Sequence, residues 1–64
     1  MTLGQRIQAL RKEKGLSQEA LGEALGVSRQ AVSQWEADAS LPELDKLVGL
    51  SRLFGLPLGD LLQL

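Results

Sequence analysis

The sequence contains no cysteine, no histidine and no tyrosine. Without thiols, disulfides and thiolate metal sites are excluded, and without imidazole the commonest metal ligand and general base is gone. Aromatic residues are limited to one Phe and one Trp, so the apolar content is mostly Leu, Ala and Val, a composition that favours helices over strands. No apolar run approaches the length of a membrane span, and the opening stretch MTLGQRIQALRKEKG carries charges throughout, unlike a signal peptide. Excess charge of either sign is also missing: the formal net charge is −1 and the pI is near 5.2. A cytoplasmic location fits, with no metal, cofactor, membrane or small-molecule ligand expected.

What is present is one domain's worth of chain. Sixty-four residues, 44% of them hydrophobic, can bury a single small core of marginal stability. The spacing predicts helices punctuated by glycine. Leu3, Ile7 and Leu10 recur at helical intervals before RKEKG closes the segment with basic residues and a Gly. Ser17 is placed to cap QEALGEAL, whose inward stripe is expected at Ala20, Leu21, Ala24 and Leu25. Gly26 ends that helix and Ser28 can cap the next, over a connection so short that the two helices must cross steeply. A third helix is predicted from Arg29 to about Ala37, with Val32, Ala31 and Trp35 on an arc of roughly 100° and Arg29, Gln30, Ser33 and Gln34 on another of about 140°. A fourth follows Pro42 to about Phe54, with Leu44, Leu47, Val48, Leu50 and Phe54 inward, and PLGDLLQL makes a short last one.

The stretch SQEALGEALGVSRQAVSQWE resembles the helix-turn-helix of the lambda-repressor-like, Cro-type transcriptional regulators (the xenobiotic-response-element family). The likeness runs from LGQRIQALRKEKGLSQEALG through LP, LDKL and LFGLPLGDLL, nearly the whole chain. It rests on a small residue inside the first motif helix (Gly22), a Gly in the turn (Gly26) and apolar residues at Leu21, Leu25, Val32 and Trp35. It implies an all-α, compact five-helix domain over residues 1–64, possessing the helix-turn-helix at helices two and three. It also implies sequence-specific binding of double-stranded DNA, with the third helix in the major groove. The chain closes on GDLLQL without a polar tail, as expected of the N-terminal part of a longer regulator.

Carried over position by position, the resemblance assigns base contact to Arg29, Gln30 and Gln34, with Ser33 beside them. Arg pairs bidentately with guanine and Gln with adenine, so the residue types suit that role. Gln18 and Ser28, at the starts of the two motif helices, match positions that reach phosphate, where helix N–H groups favour an anion. Arg11 and Glu36 match a partly buried structural ion pair. Leu53 is expected on the exposed side of the fourth helix near Gly49, and together with Leu64 it marks a homodimer interface that would present the reading helices to a palindromic operator. Departures from the family pattern fall at Ser51, Gly49 and Asp38, in place of a core Ala, a better helix former, and a loop Gly or Asn. A repressor is the leading reading; an antitoxin or restriction-modification controller would use the same chemistry. The rival from another class is a protein-interaction module on the same scaffold, which the acidic balance suits. An enzyme is not expected, since no His, Cys, Tyr or converging carboxylate pair supplies a catalytic constellation.

Overall fold

Local chemistry sets the starts of the first three helices in the computed structural model, which describes residues 1–64. The elements are α1 (Leu3–Glu13), α2 (Gln18–Leu25), α3 (Arg29–Glu36), α4 (Leu44–Phe54) and α5 (Leu58–Leu62), with no strand. Thr2, Ser17 and Ser28 precede the first three helices in extended conformation, and their hydroxyls accept from the amides of Gln5, Ala20 and Ala31. Such caps are worth about 1 kcal/mol each. Thr2 and Gln5 complete a reciprocal capping box. At the other end of α2, Gly26 takes a left-handed φ of 73°, which turns the chain toward α3 within three residues. The all-α, five-helix expectation holds.

Every helix contributes to one core: Ile7 from α1, Leu21 from α2, Val32 and Trp35 from α3, Leu50 and Phe54 from α4, and Leu61 from α5. Five of these seven are wholly inaccessible to solvent. At about 1.5–3 kcal/mol for a fully buried large aliphatic side chain, they supply the main drive for folding. The steep crossing of α2 and α3 depends on backbone contact. A Cβ on Gly22 would lie 2.6 Å from the carbonyl oxygen of Val27. The same two residues are joined by the Val27 amide, which donates to the Gly22 carbonyl at 2.8 Å.

The fourth helix follows Pro42 as expected, beginning at Leu44, with Pro42 buried in the preceding loop. Several sequence expectations shift. Leu44 is 68% exposed, so the inward stripe starts one turn later and runs through Leu47, Leu50 and Phe54. Ala24 is exposed, because α2 narrows its buried stripe to Leu21 and Gly22 with Leu25 half-buried. Gly49 is half-buried and not on an open face: a Cβ there would come within 2.9 Å of Leu25 Cδ2, so α4 passes close to α2. Leu53 is correspondingly half-buried against the core. Ser51, buried, donates its hydroxyl to the Val48 carbonyl at 2.8 Å, which satisfies the polar atom in place of the usual Ala.

Gly22→Ala should lower the free energy of unfolding by about 1–3 kcal/mol, because the obstructing atom is backbone and cannot rotate away. Gly59→Ala, which meets nothing within 4 Å, should be neutral or slightly stabilising. Urea titration followed by helical circular dichroism separates the two.

Candidate nucleic-acid interface

α3 is an eight-residue helix, too short to be stable by itself, and its pose is imposed by what it packs on. Val32 and Trp35 point into the core, at 0% and 6% exposure. The opposite face carries Arg29, Gln30 and Gln34, all exposed, and Ser33, half-buried. The structure therefore gathers these four on one outward polar surface at and beyond the N-terminal end of α3. None of them is engaged by a side-chain hydrogen bond elsewhere in the domain. Ser28 caps the same helix through its oxygen, which leaves its hydroxyl hydrogen free to donate.

The C-terminal end of α3 is held by a charged network. Arg11 Nε donates to Glu36 Oε2 at 2.6 Å and Arg11 Nη2 to Glu36 Oε1 at 3.0 Å, a bidentate pair. Arg11 Nη1 donates to the Leu16 carbonyl at 2.8 Å, so one guanidinium joins α1, the α1–α2 connection and α3. Both side chains are nearly out of solvent, at 10% and 4% exposure. The hydrogen bonds it donates to Glu36, with the Coulomb attraction of that carboxylate, hold the Arg11 pKa above its ordinary value against the opposing effect of burial. A raised arginine pKa contributes stability that is complete below the unfolded-state value and lost only as pH climbs past it, so this group adds no pH dependence near neutrality.

Gln18 belongs to this network. It is half-buried, and its Nε2 donates to Glu36 Oε1 at 3.1 Å, a bond between residues eighteen apart that no local pattern signals. One of its two amide hydrogens is thereby used inside the domain, and the other is left for an external partner. Two further contacts were missed. Lys46 Nζ of α4 donates to the Leu25 carbonyl at 3.0 Å, placing a cation on the C-terminal end of α2, where the helix dipole favours it. Asp38 accepts from the Thr2 hydroxyl and the Gly4 amide, at 2.6 and 2.9 Å. An Asp just past a helix end signals a turn, but no local pattern names partners more than thirty residues away. Leu53 and Leu64 stand on α4 and at the chain end, away from α3 in sequence; Leu64 is 97% exposed. Lys12 and Lys14, at the C-terminal end of α1, are exposed. No cluster of acidic side chains is arranged to hold a metal ion, no pocket is present, and no helix is long and apolar enough to cross a membrane.

A helix-turn-helix family model matches residues 7–61 of the chain. The HTH-type transcriptional activator BcrR of Enterococcus faecalis is 39% identical over 62 residues, which is 97% of this chain and 30% of that protein. Repressor protein C2 of Salmonella phage P22 is 44% identical over 50 residues, 78% of this chain and 23% of the relative. The chain thus spans less than a third of the length of these two relatives. Among solved structures, the P22 c2 repressor in complex with a synthetic operator aligns with a TM-score of 0.92 at 38% identity, covering 98% of this chain and 96% of that one. The five-helix arrangement is therefore lambda-repressor-like.

Glu36→Gln should cost about 3–5 kcal/mol, the range for removing one partner of a buried pair, because the Arg11 guanidinium stays buried with its charge uncompensated. Differential scanning calorimetry at neutral pH measures the loss, and an unchanged melting temperature would contradict the structural role given to the pair.

Proposed function

The chain belongs to the helix-turn-helix family, and from that premise we infer that it is the DNA-binding part of a transcriptional regulator that reads the major groove with α3. The observation that carries this reading is the outward face of Arg29, Gln30, Ser33 and Gln34 on a helix otherwise locked into the core, in a fold matching that of a repressor solved on its operator. Arg29 and Gln30 occupy the first turn of α3, the part that meets base edges in this docking mode. Gln18 and Ser28 position the domain on phosphates, each with one hydrogen still available to donate. Operator occupancy is the common act of an activator and a repressor, and repression is its simplest consequence. The site of action is the cytoplasm, with the DNA.

Charge sets how strongly one domain can bind. Among the cations, Arg11 is consumed by its internal pair, leaving Arg29, Lys12 and Lys14 as the exposed ones on the first three helices. Neutralising about two or three phosphates gives a salt slope near −2 to −3 per subunit, far shallower than that of a strongly basic binder. Base contacts and pairing of two copies supply the remainder. We place the homodimer contact at Leu53 and Leu64, which would set two α3 helices about 34 Å apart on a palindromic site.

Selection from a random duplex library at low and moderate salt should enrich a palindrome. Gln30→Ala should then weaken binding by about 1–3 kcal/mol and relax preference at one base position, with little change in salt slope. Absence of enrichment at both salts would point instead to a protein-interaction module. Leu64→Glu, a change at an exposed side chain that leaves the core intact, should shift sedimentation toward monomer and lower operator affinity.

A further inference from the structure

Asp38 adopts a left-handed backbone, φ 58°, which a non-glycine residue takes at a cost that Asp and Asn bear best. Its carboxylate is aimed back at the beginning of the chain. Oδ1 accepts the Gly4 amide at 2.9 Å and Oδ2 accepts the Thr2 hydroxyl at 2.6 Å. The Thr2 hydroxyl in turn accepts the Gln5 amide at 3.1 Å. α1 has no acidic residue in its own first turn, so the anion at its positive end comes from the loop after α3, more than thirty residues away in sequence. Gly4 is buried at the same junction: a Cβ there would overlap the Trp35 carbonyl oxygen and stand 2.7 Å from the Glu36 carbonyl oxygen. The backbone leaving α3 thus lies directly on α1.

The end of α3 is consequently fixed to α1 at two places. Glu36 is gripped by Arg11, and Asp38, two residues on, grips Thr2 and Gly4. Gly4 and Arg11 are seven residues apart on α1, about 10 Å along its axis. One anchor would leave α3 free to pivot; two anchors separated along α1 fix its direction. We propose that Asp38 is a positioning residue: its carboxylate, clamped on Thr2 and Gly4, sets the angle at which α3 presents Arg29, Gln30 and Gln34 to DNA. This rests on the DNA-reading function above.

The electrostatic consequence of removing Asp38 has the opposite sign, which makes the test decisive. Deleting a negative charge should by itself tighten binding to a polyanion. Loss of the clamp should weaken it. Asp38→Gly keeps the backbone conformation without the carboxylate, and Asp38→Asn keeps the conformation and one oxygen acceptor. Both would be measured at a temperature where each is fully folded, by residual dipolar couplings for the angle between α1 and α3, and by titration with the duplex that the unmodified protein selects. Expected results are a changed α1–α3 angle with affinity down about tenfold for Asp38→Gly, and about threefold for Asp38→Asn, at an unchanged salt slope. An unchanged angle with equal or tighter binding in the folded variants would overturn the proposal and leave Asp38 as a cap alone. Should Asp38→Gly not fold, Asp38→Asn decides on the same two measurements. Should the unmodified protein select no duplex, the functional reading fails separately, and the angle alone decides the clamp.

Discussion

The bidentate grip of Arg11 on Glu36 is the constraint on which the presentation of α3 depends. Two apolar residues, Val32 and Trp35, hold this short helix against the core, but hydrophobic contact is non-directional and leaves rotation and tilt loosely specified. A planar guanidinium meeting a carboxylate along two parallel hydrogen bonds is directional. Because both partners are shielded from water, no competing solvent geometry is available, and the C-terminal end of α3 stays fixed to α1 at this point. Buried ion pairs add little net stability compared with apolar packing, so orientation is the physical gain here. Leu16 and Gln18 complete the set of partners, which leaves no strong donor or acceptor of the network unmatched inside the domain.

Around that network the helices touch through backbone. Gly22 against Val27 and Gly4 against Trp35 and Glu36 are two places where a side chain would meet backbone and force the elements apart; at Gly49 the neighbour is the tip of the Leu25 side chain. The first two bring α2 and α1 close against the two ends of α3, and the third lets α4 pass close to α2. A core of seven residues cannot tolerate the gaps that wider spacing would open, since every lost contact is a large fraction of a small total. Close backbone approach is how a chain of this size reaches density with few large side chains.

The same economy shapes the outward face. A domain that diverts Arg11 inward has few cations left for phosphate, and its net charge of −1 gives no long-range pull toward DNA. Affinity in such a protein has to come from short-range, geometry-dependent contacts, which are the ones that tell sequences apart. Accurate placement of α3 therefore matters more here than in a basic domain, where charge would compensate for a poor fit. Duplicating the domain by symmetry adds binding energy without adding charge per subunit.

Much of this was written in local sequence. Ser17, Ser28, Gly26 and the helical recurrence of Leu and Val set the boundaries of α2 and α3 within a residue, because capping and left-handed turns depend only on neighbours. The outward polar arc of α3 was equally readable, since a helix face is a matter of period. The close approach of Leu25 to Gly49, the exposure of Leu44 and Ala24 and the half-burial of Leu53 were not, because they depend on where a second helix crosses. Nor was the internal bond of Gln18, nor the reach of Asp38 to Thr2 and Gly4. Sequence by itself determined which helices form and which face of α3 stays polar, through interactions a few residues long. Tertiary structure alone decided the direction that face takes, because that direction is set by hydrogen bonds between residues brought together only when the core closes.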